Sequence, residues 1–468
     1  MGKGLKWCRQ QFVSNLDMGA LISAISLGII FETMVFLAFE RGYFYSERNA
    51  ITDKVAALFR GHSPAGKQKP IIFIDIDEET YKHFPNRPLI LPRDQITRIA
   101  EALTPPDGQK TDGAKPVAGG PLVVLFDIDF SAASTPAKND RALRRALTKL
   151  GGPIPVVLVK SAQPAGQDGK NECQVGDQAP FGPSKDGGGN INCGSATLYR
   201  TDDHVIREFP LWSLECSGPS ASVTPSVPLL TAAFAMQNTV TRSQLEADLR
   251  VAVPSDCELH GDRIATVTLA GFDNGTFDVD VREPLTPIDF AITPSGGPYR
   301  TINKSDSGDD QVPLFRRLSA GTILRNTGSM SPSFFEGSIV IVGGSFVDSR
   351  DIHPTPVGEM PGALILANAI NTLLAYQGPI AHAGGFEHIL WSLIVIVAIG
   401  LAFALKTPIW EGRISKGAIV AFVIWSAIIV TAWIKSPYWL DLALPITALS
   451  LKARYHGMLK FMQPKGPE

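Results

Sequence analysis

The apolar run at residues 386–405 (FEHILWSLIVIVAIGLAFAL) constrains this chain more than any other feature. About 20 apolar residues, rising 1.5 Å each, match the thickness of a bilayer's hydrocarbon core. A second run follows at 417–434 and a third at 438–456, shorter in its strictly apolar part, for which a buried interfacial helix is the alternative. A fourth precedes them at 18–39, continuous from Ala20 and broken only by Glu32. Lys3, Lys6 and Arg9 lie before it as in a secretory signal, but the run is too long and lacks a small-residue cleavage site, so an uncleaved anchor is expected. A mean hydropathy of +0.09 over 468 residues agrees with a chain partly in lipid.

Basic residues set the orientation. Lys3, Lys6 and Arg9 flank the first span, Lys406, Arg413 and Lys416 separate the next two, and Lys452, Arg454, Lys460 and Lys465 crowd the tail. The positive-inside rule makes all three clusters cytoplasmic. Residues 1–17 and 457–468 are then cytoplasmic, and 40–385 form one extracytoplasmic domain. Cysteine usage fits: Cys8 is inside, whereas Cys173, Cys193, Cys216 and Cys257 fall outside, where disulfides persist. Three connectivities are open; neighbour pairing, Cys173 with Cys193 and Cys216 with Cys257, is favoured because each pair brackets a polar, loop-like stretch. No CxxC or HxxxH spacing supports zinc instead. A net charge of −2 without a basic face excludes nucleic acid as a partner.

Within the outer domain, PIIFIDID (70–77), PLVVLFDIDF (121–130), residues 154–160 and GSIVIVG (337–343) read as strands buried on both faces. Helices are expected at 94–103, with Ile96, Ile99, Ala100 and Leu103 on one stripe and Asp94 placed to cap or charge the start, at 140–150, and at 361–376. Residues 163–192, rich in Gly, Pro, Asp and Asn, read as a long surface loop. Hairpins are expected at 196–209 and at 265–281, the latter around Asn274-Gly275; a glycosylation sequon at Asn274 is the lesser alternative. The fold class is therefore α/β: a mixed, largely parallel sheet flanked by helices with added β-hairpins, plus a four-helix transmembrane part.

Taken in order, IDIDEETY, LPR, FDIDFS with ND, GSATLYRTDDHVIREFPL and EGSIVIVGGSFVDSRDIHPTPVGEMPGALILANAINTLL resemble the type-two CHASE domains, extracytoplasmic sensory modules with one membrane helix before and three after. The resemblance covers most of residues 70–376. It departs at 87–93 (RPLILPR), where of a Trp-Pro-Trp-like segment and its Arg only the Arg matches. Residues 105–120, 163–192 and 217–298 read as insertions, hence extra surface. No output domain of the family's kind is expected, since the stretch after Leu451 is too short for a kinase or cyclase.

Asp75 and Asp77 share a strand face, as do Asp127 and Asp129. If those strands are neighbours, four carboxylates gather at the carboxyl edge of the sheet, where open α/β sheets bind ligands. Asp140, Asp348, Asp351 and His353 could complete an acidic cleft for a divalent cation or a cationic ligand. The plainer and preferred reading is that these Asp residues cap helices and close turns. No arrangement points to catalysis: Gly343-Gly344-Ser345 lacks the second glycine of a nucleophile elbow and no Walker-type lysine occurs. No cofactor is expected beyond that possible cation. Glu32, costly in lipid, should face protein, within the chain's own bundle or at a neighbouring subunit. Two roles follow. One is an accessory or structural subunit of a larger membrane assembly, with other membrane or periplasmic proteins or copies of itself as partners; the alternative is a sensor signalling sideways to a separate protein, in either case at the bacterial inner membrane.

Overall fold

The computed structural model describes residues 68–382 except 86–89, 106–119, 135, 161–174, 176–189, 218–219, 238–239, 251–263, 282–283, 295–300, 304–310 and 327–331, together with Tyr438–Trp439. The four expected spans and Glu32 lie outside these residues. Among the described residues no helix is long and apolar enough to cross a membrane.

Residues Arg60–Ala381 form one compact unit. In chain order it contains β1 (Ile71–Ile76), α1 (Glu78–Lys82), α2 (Arg93–Leu103), β2 (Val123–Phe126), α3 (Lys138–Gly151), β3 (Val156–Val159) and β4 (Ile191–Gly194). Then come β5 (Tyr199–Arg200), β6 (Ile206–Pro210), β7 (Trp212–Ser217), β8 (Ser220–Pro225), α4 (Val227–Met236) and α5 (Arg242–Arg250). The chain continues through β9 (Ile264–Thr268), β10 (Thr276–Asp280), β11 (Leu285–Pro287), β12 (Thr301–Asn303), β13 (Gln311–Pro313), β14 (Phe315–Ser319) and α6 (Ala320–Arg325). It closes with β15 (Ile339–Gly344), β16 (Ile352–Thr355), β17 (Gly358–Pro361) and α7 (Gly362–Tyr376).

Six strands make one sheet in the order β14-β1-β15-β2-β3-β4, and every pairing in it is parallel. Parallel strands need helical crossovers, so both faces are covered and the strands read as unbroken apolar runs. Alternation divides them into two cores. Ile72, Ile74, Val124, Phe126, Val340 and Val342 pack with α2, α3 and α6. Ile71, Phe73, Val123, Leu125, Ile339 and Ile341 pack with α4 and α7. The result is a helix–sheet–helix sandwich in which each fully buried Ile or Leu contributes about 1.5–3 kcal/mol.

Several expectations are corrected. β15 lies between β1 and β2, so the two acid-tipped strands are not neighbours. Asp94 lies in the first turn of α2, where it charges the helix start rather than caps it; Pro92 takes the cap position and makes no side-chain bond. The 163–192 stretch is not all surface: Val175 is wholly buried in the α2–α3 core and β4 begins at Ile191. Nor is 217–298 merely added surface, because α4 (VPLLTAAFAM) is buried from Val227 to Ala235 against the sheet. The hairpin expected over 265–281 is present, β9 and β10 pairing antiparallel outward from Thr268 and Thr276 with Asn274 in the turn between them. Asn274 also caps α7, its Nδ2 donating to the Tyr376 carbonyl and its backbone N–H to that of Gln377, both at 2.9 Å.

Candidate functional site

The carboxyl ends of the central strands carry the polar residues. Asp75, Gly343 and Asp127 lie in register across β1, β15 and the end of β2, all on the α7 face. Between the two acids the sheet approaches α7 so closely that a Cβ at Gly343 would lie 2.7 Å from Ala363 Cβ and 3.4 Å from Asp127 Cβ. Glycine at 343 therefore lets the first turn of α7 sit over the strand ends.

Asp75 is buried, and its Oδ2 accepts from Arg317 Nε at 2.7 Å and Ser345 Oγ at 2.9 Å. Its Oδ1 is buried with no partner among the described residues. Burial raises its pKa, against the opposing pull of Arg317 and Ser345. Asp127 is pushed up to about 8, first by burial and then by the charge of Asp351. Asp351 lies against α7: a Cβ at Gly362 would fall 2.6 Å from its Oδ1, and the Gly362 N–H donates to its backbone carbonyl at 2.9 Å. That carboxylate accepts from His353 Nε2 at 2.8 Å, while Arg200 Nη2 lies 2.6 Å from His353 Nδ1. Asp351, His353 and Arg200 thus form a hydrogen-bonded polar row at the positive end of α7, with Asp127 near enough to feel the charge of Asp351.

The other expected site residues do not join it. Asp77 has left the strand to cap α1, accepting from Thr80 N at 2.7 Å and Thr80 Oγ1 at 2.6 Å. Burial would raise its pKa, but the hydrogen bonds from Thr80 and Ser319 and the nearby charge of Arg317 outweigh it and hold it low. Asp129 is exposed and closes a turn by accepting from Ser131 N at 2.8 Å. Asp140 belongs to α3 on the opposite face, where it accepts from Arg93 Nε at 3.3 Å and Ser134 N at 2.9 Å. Asp348 is exposed on the turn after β15. The four strand-end carboxylates therefore form no single acidic cleft. Among the described residues no group of three or more His, Cys, Asp or Glu is placed to hold a metal ion. Cys193 is buried on β4 and disulfide-bonded. Its partner lies outside the described side chains, for Cys173 and Cys257 fall in undescribed stretches and Cys216 is described in backbone only.

The motifs that were separate in sequence meet in space. Arg93 of LPR is fully buried, 5.0 Å over the Phe130 ring of FDIDF, and paired with Asp140 of ND. Burial lowers the pKa of its guanidinium, and Asp140 works against that. Tyr81 of DEETY stacks on Phe346 of GGSFVD at 4.1 Å. In TDDHVIR, Asp203 binds Arg207 at 2.8 Å and Thr201, closing the β5–β6 hairpin around His204 with its φ of 63°. Burial would raise the Asp203 pKa, but Arg207, Thr201 and the Val205 N–H hold it far below the usual carboxylate range. Arg200 and Arg317, as lone arginines, carry no signal in the sequence, and Ser345 enters there only through a rejected nucleophile elbow.

Fold and polar row together define an α/β module with polar groups at the carboxyl edge of a parallel sheet. The family model described as the CHASE2 domain matches residues 29–403, and the chain belongs to this family of sensory domains. A search of curated proteins and one of solved structures found no match.

Proposed function

We propose that the chain is a membrane-anchored extracytoplasmic sensor whose polar row receives the stimulus and whose α7 carries it towards the span at 386–405. One observation carries this reading: α7 touches the row at its first turn and is tied, by three buried polar residues, to the segments at its far end. Asn368 Nδ2 donates to the Ile292 carbonyl at 3.0 Å and its Oδ1 accepts from Ile292 N at 2.8 Å. Thr372 Oγ1 accepts from Asp289 N at 2.9 Å, and Asn371 Oδ1 accepts from Gln68 Nε2 at 3.0 Å. Gln68 continues into the stretch that follows the first span, and α7 leads into the stretch before the second. A shift of α7 is thereby passed to both chain segments that run to the membrane, because buried amides left unpaired cost about 1–3 kcal/mol each.

The domain then faces the periplasm of a bacterial-type inner membrane, with disulfides Cys173–Cys193 and Cys216–Cys257, no catalytic role, and output through a separate signalling protein. A structural or accessory subunit is the second reading, favoured by Val347 and Ile352, large apolar side chains 69% and 39% exposed around the turn between β15 and β16. Its other support, the supposed surface insertion at 217–298, is weakened by the burial of α4. Purification from native membranes with identification of co-purifying chains separates the two. A sensor brings down a signalling protein whose activity changes with Asp351→Asn. A stoichiometric assembly indifferent to Asp351→Asn would refute the sensory reading.

A further inference from the structure

His353 is buried between a guanidinium and a carboxylate. Arginine has only N–H donors, so Nδ1, 2.6 Å from Arg200 Nη2, must accept. The ring's one proton then lies on Nε2 and is donated to Asp351 Oδ1 at 2.8 Å. The contacts therefore require a neutral imidazole in a single tautomer. A second proton would land on Nδ1 and face Arg200 donor to donor and cation to cation. The pairing with Asp351 would survive; the bond to Arg200, an exposed residue with solvent to move into, would not.

We infer that Arg200, His353 and Asp351 form a proton-operated latch. With a neutral ring the latch ties the β5–β6 hairpin to β16 and the first turn of α7; a protonated ring releases the hairpin. The proton is then a stimulus taken by the polar row, which deepens the sensory reading above and rests on it. The sign follows from the tautomer: the latch is closed at higher pH and opens as pH falls.

Apart from Asp351, which accepts from Nε2 in either state, the charged groups on the neighbouring elements make other contacts or lie exposed. Met360 stands opposite His353 in register, while Glu359 pairs with exposed Pro354 on the other face. α7 contains no Asp, Glu, His, Lys or Arg. On β6, Arg207 is held by Asp203, and Glu208 lies opposite Tyr199 and Pro287. Asp348 and Arg350 are exposed on the preceding turn. From β2, burial and then the charge of Asp351 push the Asp127 carboxyl up to about 8.

The test is hydrogen–deuterium exchange of the full chain in lipid nanodiscs from about pH 8 to about pH 5, with labelling times scaled for intrinsic exchange. Protection of peptides spanning β5–β6 and β16 should fall about tenfold on acidification, the scale expected for a lost charge-assisted bond. Arg200→Gln, a surface change that spares the fold, and His353→Gln should both abolish the pH response. A wild-type chain without the response, or Arg200→Gln retaining it in full, would overturn the latch. The readout contains no signalling step, so its failure leaves the sensory reading to its own test.

Discussion

Gly343→Ala probes the contact on which the site depends. The new methyl would lie 2.7 Å from Ala363 Cβ, whereas carbon atoms rest about 3.5–4.0 Å apart. The first turn of α7 must therefore retreat by about 1 Å, and overpacking of this kind costs about 1–3 kcal/mol. Adding Ala363→Gly removes the opposing carbon and should restore most of that loss, less about 1 kcal/mol for glycine in a helix. As a control, Gly152→Ala adds a methyl where φ is −60° and the nearest atom, the Lys149 carbonyl oxygen, is 3.3 Å away, so a change within about 0.5 kcal/mol is expected. Urea titration of the full chain in mild detergent, read by tryptophan emission with Trp212 buried in the α4–α7 core, reports all of these. If Gly343→Ala unfolds like wild type, or the double variant is no more stable than the single, α7 does not press on β15 as described.

Further expectations concern charge and crosslinks. Asp140→Ala leaves the fully buried Arg93 guanidinium without its counter-charge and should cost about 3–5 kcal/mol, while Asp129→Ala, at an exposed turn, should cost far less; thermal melts compare them directly. Because the folded pKa of Asp127 is raised, its contribution to stability is complete below the ordinary Asp value and is lost as pH rises towards about 8, at up to about 1.4 kcal/mol per pH unit. Stability measured against pH should therefore slope less in Asp127→Asn, which should equal wild type in acid and exceed it near pH 8. Non-reducing peptide mapping should recover Cys173 with Cys193 and Cys216 with Cys257; four alkylated thiols would refute both the pairing and the compartment.

Much of the scaffold was legible because parallel strands covered on both faces leave unbroken apolar runs: β1, β2 and β15 stand out, and α7 does so through its length and helical spacing. Strand order was not legible. Placing β15 between β1 and β2 is decided by crossovers over hundreds of residues, and it separates Asp75 from Asp127 by a whole strand. β14 escaped notice because FRRLS, at the sheet edge, leaves Arg316 and Arg317 exposed and shows no buried-strand pattern. The β9–β10 hairpin was legible from Asn274-Gly275, whereas the long-range contact of Asn274 with the end of α7 was not. Of the candidate site, Asp127, Asp351 and His353 could be named from sequence, whereas Arg200 could not, since its role exists only once the β5–β6 hairpin meets β16. Asp77, Asp129 and Asp140 each satisfy backbone N–H groups, as Asp does wherever strands turn.

On the proposed sensory reading, α7 connects the polar row to the chain segments that lead to the expected spans. Hydrogen–deuterium exchange on the full chain in nanodiscs, comparing wild type with Asp351→Asn, tests it most directly. Altered protection should extend beyond residues 351–363 to the far end of α7, at 368–376, and to the stretch around Gln68 that is bonded to Asn371. A change confined to residues 351–363, with the far end of α7 and Gln68 untouched, would contradict the account.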